Sequence, residues 1–238
     1  MVARNVTRVL GIMVRSIFRE FLVHFLHRRP ISIYTFVILC NWLIDFGQAL
    51  NPPAYVEFRK EAEMKNKLLE NALIPELLKE PPKHAAEFTF PSGAKADFGN
   101  KIPPQQVSGA PRHVTFKCEP DELFAILLTD FDAPSRSDPH KREWVHWAVG
   151  NCEANEHVDG VQIIAPPMFP INPQRGTGFH RYVFYVYKQP NNTRIEFLEG
   201  FTNTTEFGRS NYDVKKFAKT YKLGDIYAIN FFLSEWTP

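Results

Sequence analysis

A chain of 238 residues with 44% hydrophobic, 14% aromatic and 23% charged residues holds enough apolar surface for a core and lies far from the composition of disordered proteins. Its three cysteines exclude a disulfide framework, and no Cys-x-x-Cys pair offers structural zinc or a redox couple. The net charge of +2 is unevenly placed: residues 1–30 carry six arginines against the single acid Glu20, leaving residues 50–238 at −2, so bulk charge provides no cationic surface for nucleic acid.

Residues 1–49 read as a targeting segment. The apolar run Ile31–Ile44 is shorter than the roughly 20 residues a membrane span needs. A basic stretch before it, and Gly47 and Ala49 at positions −3 and −1 of a cleavage after Ala49, compose a secretory signal peptide. The Arg-rich, acid-poor stretch 1–29 also suits a mitochondrial presequence, which is the alternative, and a retained anchor is a third reading. The sequons Asn191-Asn-Thr193 and Asn203-Thr-Thr205 fit a secreted glycoprotein. Cleavage would leave Cys118 and Cys152, either as one bridge or as two buried thiols.

After Asn51-Pro-Pro53 a helical period runs over Ala54–Leu73 and stops at Lys79-Glu-Pro-Pro82, giving an amphipathic lead-in over residues 50–85. From residue 86 the period changes to that of strands: Phe88–Phe90, Val114–Cys118, Leu123–Leu128, Trp144–Val149 and Gly178–Tyr187, broken by Gly and Pro turns. A short helix over Asn211–Tyr221 precedes a last strand, Tyr227–Phe232. This pattern predicts a mainly β domain over 86–238, an antiparallel two-sheet sandwich with short flanking helices.

Candidate chemistry gathers between residues 130 and 182. Asp130 and Asp132 emerge where the strongest apolar strand meets a turn fixed by Pro134. A period of two puts Trp144 and His146 on one face and Val145 and Trp147 on the other, and it pairs His180 with Tyr182. If the two strands are neighbours, these groups line one cavity with Asp130 at its mouth, suited to a small anion. Ser135, His146 and Asp130 could be named as a triad, but no Gly-x-Ser-x-Gly elbow is present; Asp132 and Ser135 also suit a plain turn. Gly176-Thr-Gly178 has neither P-loop nor dinucleotide-binding spacing, and no metal-ligand spacing appears.

Two blocks go further. Thr129-Asp-Phe-Asp-Ala-Pro-Ser-Arg136 with Asp138-Pro-His-Lys-Arg-Glu-Trp-Val-His-Trp147, and Gly176-Thr-Gly-Phe-His-Arg-Tyr-Val-Phe184, resemble in order and spacing the signature blocks of the phosphatidylethanolamine-binding protein family. The resemblance covers most of residues 70–238. It implies a pocket for phosphate or a phospholipid head group, formed by Asp130, Ala133, Pro134, Trp144, His146, His180 and Tyr182, with Asp132, Ser135 and Arg136 bracing the loop. It further implies a monomeric, non-enzymatic protein without cofactor, acting as a lipid binder or as a regulator of a kinase or serine protease. In that picture Trp144 covers the ammonium arm and a carboxylate receives it.

The chain departs from the family pattern at three points. Phe131 stands where the first block usually has proline, which is expected to loosen the loop. Val145 replaces a frequent second histidine, and Phe232 stands where many members carry a tyrosine at the pocket rim. A second resemblance, of Arg175–Arg181 to a large-subunit mitochondrial ribosomal protein of the same fold, gives the alternative function; the well-preserved first block and the faintly acidic body oppose it.

Overall fold

The apolar run at Leu123 becomes the strand around which the rest is arranged in the computed structural model of the chain. The structure describes residues 61–119, 121–153, 161–162, 168–198 and 208–238, which fall within one compact unit, Val56–Pro238. The targeting segment 1–49 and the sequon at Asn203 lie outside the described residues.

In chain order the elements are helix α1 (Glu61–Glu70), the short turn α2 (Leu73–Glu76), strands β1 (His84–Thr89), β2 (Lys95–Ala96), β3 (Asn100–Lys101), β4 (His113–Phe116), β5 (Leu123–Asp130), β6 (Trp144–Glu153), β7 (Val161–Gln162) and β8 (His180–Lys188), helix α3 (Val214–Thr220) and strand β9 (Ala228–Ser234). The predicted helix over Ala54–Leu73 ends early. Ala72 takes a left-handed φ of 54°, and the Asn71 side chain donates to Lys67 O at 3.0 Å, closing the last turn. Residues 54–60 lie outside the described residues. The second predicted helix starts later than Asn211, because Asp213 accepts from the Lys216 N–H and caps it.

Every residue of β5 is buried, so it is covered on both faces. Phe124, Ile126 and Leu128 face one core with Phe184 and Val186 of β8, under Phe88 and Phe116. Ala125 and Leu127 face another, where Met64 and Leu68 of α1 and Phe217 of α3 pack with Val183, Tyr185 and Phe231. Burial of each such large side chain is worth about 1.5–3 kcal/mol, and the stack of Phe88 on Phe184, with centroids 3.8 Å apart, adds about 1 kcal/mol.

The predicted pair of antiparallel sheets is instead one curled, mixed sheet in the order β2-β1-β9-β8-β5-β6-β7, with β3 also on β9 and β4 on β1. Both β1 and β3 run parallel to β9, His84 opposite Ala228 and Asn100 opposite Phe232. The reason is topological: the free edge of the last strand is filled by two segments from the beginning of the domain, and the intervening chain serves as the long crossover that parallel pairing requires. After Ala85 strand β1 leaves β9 to pair with β4 and β2, folding the sheet over its own face. Asn230 holds that corner, since its buried amide donates to Ala86 O (2.5 Å) and Ala96 O (2.9 Å) and accepts from Phe98 N (2.8 Å).

Candidate functional site: a histidine-lined cavity at one end of the sheet

Strands β6, β5 and β8 lie side by side, and their registers bring Asp130 opposite both Trp144 and Tyr182. Cross-strand partners share a face, so the end of the sheet that carries Asp130 gathers Trp144 from one neighbour and His180 and Tyr182 from the other. One feature of β6 was not legible in the period. Leu128 pairs with Trp147 and Thr129 with Val145, which makes His146 an extra residue, a β-bulge. Trp147 therefore shares the face of Trp144 and packs in the core beside Leu128, not on the face of Val145 as strict alternation predicts. Val145 is buried on the helix side.

The result is a cavity of about 320 Å³ lined by all seven expected residues, Asp130, Ala133, Pro134, Trp144, His146, His180 and Tyr182. Also in its wall are Lys141, Phe169, Pro170, Asn172, Pro173 and Gln174, which sequence reasoning missed. The signal for most of these was the proline-punctuated stretch around Phe169-Pro170 and Pro173, too rigid and too apolar for an ordinary surface loop. Lys141 carried only its nearness to Trp144.

The floor is a closed hydrogen-bond network. Asp130 Oδ2 meets His180 Nδ1 at 2.7 Å, and its Oδ1 accepts from Asp132 N–H at 2.8 Å. His180 Nε2 lies 2.8 Å from Thr177 Oγ1, and that hydroxyl donates to Gln174 O at 2.7 Å. Burial pushes the Tyr182 hydroxyl well above its ordinary value, and the charge of Asp130, at which the hydroxyl is aimed, pushes it further. Trp144 already has a resident cation, the Lys141 ammonium 5.6 Å from its ring centroid. The expected ammonium contacts to a carboxylate and to Trp144 thus fall on groups that are already engaged.

His146 is held from below. Its Nδ1 donates to Phe169 O at 3.0 Å, Phe169 N–H donates back to His146 O at 2.9 Å, and Arg209 Nη1 donates to Val145 O (3.0 Å) and His146 O (3.1 Å). Burial lowers the His146 pKa against the opposing pull of Asp130, which favours the neutral ring. Nε2 then faces the cavity as a bare acceptor, with no partner among the described residues.

Asp132, two residues from Asp130, turns the other way. It is completely buried and accepts from Arg181 N–H (3.0 Å), Nε (2.8 Å) and Nη2 (2.5 Å) and from Arg142 Nη2 (3.1 Å). Burial alone would raise its carboxyl, but the bonds and charge of Arg181, helped by Arg142, hold it below the ordinary range. Arg181 continues to Asn71 O (2.9 Å) and Glu76 (3.0 Å), tying the loop to α2. Arg136 reaches the same Asn71 carbonyl at 3.2 Å, and Ser135 Oγ accepts from Asp138 N–H at 3.1 Å. These three support the loop from outside the cavity. The triad geometry is not assembled, since Asp130 engages His180 instead of His146 and Ser135 is not in the cavity wall.

The departures from the family pattern also differ from expectation. Phe131 donates its N–H to Arg181 O at 2.9 Å, a bond no proline could make, and its ring lies 3.9 Å from the Arg142 guanidinium and 4.9 Å from that of Arg181. The loop is therefore clamped, not loosened. Phe232 is not at the rim: it is fully buried and stacks beneath Tyr182, centroids 5.2 Å apart. Cys118 and Cys152 are not joined by a disulfide.

Residues 80–232 match the family model described as phosphatidylethanolamine-binding protein. The chain is 31% identical over 168 residues to "Putative odorant-binding protein A5" of Drosophila melanogaster, covering 70% of this chain and 78% of that one. It is 28% identical to the "26 kDa secreted antigen" of Toxocara canis over 70% of its own length, and spans 62% of that relative. Among solved structures it is similar to a phosphatidylethanolamine-binding protein from Plasmodium vivax (22% identity, TM-score 0.61, covering 72% of this chain and 97% of that one). A carboxypeptidase Y inhibitor solved in complex with its cognate proteinase is similar to the same degree (23%, TM-score 0.60, 74% and 96%). These last two likenesses show the fold. The chain belongs to the phosphatidylethanolamine-binding protein family.

Proposed function

We propose that this member of the phosphatidylethanolamine-binding protein family is a non-catalytic binding protein whose cavity at the end of β5, β6 and β8 takes a phosphate-bearing small anion or phospholipid head group. The observation that carries the reading is the convergence of His146, His180, Tyr182, Asp130 and Trp144 on one cavity beside the Lys141 ammonium. Imidazole, hydroxyl and ammonium groups are the side chains that bond phosphate oxygens. Ala133 and Pro134 close the wall without adding a competing charge. We further infer that the protein is secreted, with sugar at Asn191, and that it acts by occupying a partner, a serine protease or a kinase. The secreted relative supports the first point, and the inhibitor solved with its proteinase supports the choice of a protease. The mitochondrial alternative finds no support in the relatives.

Titration calorimetry with phosphoethanolamine tests the site. Wild type should bind, and His146→Ala and His180→Ala should each weaken binding about tenfold or more while keeping the far-ultraviolet spectrum of the fold. Unchanged affinity in both variants would overturn the assignment.

A further inference from the structure

Most polar groups of the cavity are already committed to one another. Asp130 accepts from His180 and from Asp132 N–H, Tyr182 is aimed at Asp130, and Thr177 serves His180 and Gln174. Two ionisable groups in the wall have no such commitment, beside the neutral amides of Asn172 and Gln174: His146 Nε2, and the Lys141 ammonium over Trp144, which has no ion-pair partner among the described residues. Lys141 is set in place by its backbone, its N–H donating to Ala133 O at 3.0 Å and its carbonyl accepting from Asn211 N–H at 3.1 Å. Because Nδ1 of His146 spends its proton on Phe169 O, the neutral ring offers a lone pair to the ligand. A bare acceptor next to a cation asks for a ligand that is anionic and also brings its own proton.

We infer that the cavity selects phosphate monoesters over phosphate diesters, the ligand's P–OH donating to His146 Nε2 while a P–O⁻ oxygen faces Lys141. This rests on the phosphate-binding reading above and narrows it. A monoester has a second ionisation near about pH 6, so at neutral pH it binds as the dianion plus one proton taken from solvent, that proton lying between phosphate oxygen and Nε2. A diester has no such proton to offer. Its oxygens would set acceptor against acceptor unless His146 itself became charged. That step is opposed first by burial, and by the nearby charge of Arg209, though Asp130 and the bond to Phe169 O favour it; His180 and Tyr182 are the other titratable groups around the ring. A site built around a donor on its ligand rejects the analogue that lacks it.

The test uses two soluble probes with the same ammonium arm, phosphoethanolamine and glycerophosphoethanolamine, titrated into the full-length protein at pH 7.5 in two buffers of different ionisation enthalpy. The monoester should bind about tenfold or more tighter and take up about one proton per site, while the diester takes up none. Lys141→Ala should weaken the monoester about fivefold or more and Lys141→Arg should restore it. Equal affinity for the two esters, or monoester binding without proton uptake, overturns the inference and leaves the phosphate site standing. Failure of both probes to bind removes the site reading together with it. If Lys141→Ala binds like wild type, the lysine has no part in selection and the inference fails on that limb.

Discussion

Asp130 ends β5 and Asp132 lies two residues on in the loop that follows, and the structure puts them to opposite uses. Asp130 closes the floor of a cavity, bonded to a histidine and a backbone N–H. Asp132 is buried beneath that floor under two guanidiniums and ties β5, β8 and α2 together. The contrast is one of partners. A carboxylate meeting imidazole and phenol leaves a site open to a ligand, whereas one met by a bidentate arginine is spent on the fold. Residues 142–144 repeat the division in three steps: Arg142 joins the buried lock, Glu143 lines a second cavity on the helix side, and Trp144 lines the first.

The sharpest way to break this comparison is to remove the lock. Arg181→Ala leaves Asp132 charged, buried and short of its main partner, and should cost about 3–5 kcal/mol in denaturant unfolding. Adding Asp132→Asn should recover part of that loss, because the uncompensated charge goes with it. A loss as small as that of an exposed ion pair would mean that the lock is not the structural member of the pair.

Glu143 should produce the next largest effect. Burial pushes its carboxyl up to about 7, against hydrogen bonds from Thr129 (2.6 Å) and Tyr185 (2.5 Å). The folded protein then keeps a proton that the unfolded chain releases near 4.5. Its contribution is complete below about 4.5 and is lost as the pH rises through 7, by up to about 3 kcal/mol. Asp132 has the reverse sign: its contribution is complete above the ordinary 3.8 and fades as the pH falls below it. The lowered His146 pKa has the opposite slope, so the test is a difference: in thermal unfolding from pH 4.5 to 7.5, wild type should lose stability relative to Glu143→Gln as the pH rises.

The smallest of the three effects concerns Phe131. Restoring the family's proline by Phe131→Pro removes the N–H bond to Arg181 O and the ring between two guanidiniums, for a cost of about 1–3 kcal/mol. A Phe131→Pro protein that is more stable than wild type would show that a fixed φ outweighs the clamp.

Local periodicity carried the sequence reading a long way. It located β5, β6 and β8, it placed Trp144 with His146 and His180 with Tyr182, and the two motif blocks supplied the loop between them. What it missed was decided by distant partners. The bulge at His146 exists because β5 advances one residue less than β6 between Leu128 and Thr129, a fact of pairing that no single strand records. The parallel edge depends on which segment reaches β9 first. Phe232 lies against Tyr182 and not at a rim because the two are cross-strand partners on β9 and β8, with the edge of Phe90 covering Phe232. Lys141 and Phe169 come from connecting segments whose approach to the cavity is set by contacts elsewhere, Lys141 by Ala133 and Asn211, Phe169 by His146.

The closed floor has a consequence for how such a chain can change. Asp130, His180 and Tyr182 answer one another's valences, and the lock below them holds the loop whatever the cavity contains. Lys141, Asn172 and Gln174, by contrast, line the space from connecting segments. A rim of this kind is an alphabet on a fixed page: its letters can be replaced one at a time, and a new ligand written, without resetting the type beneath.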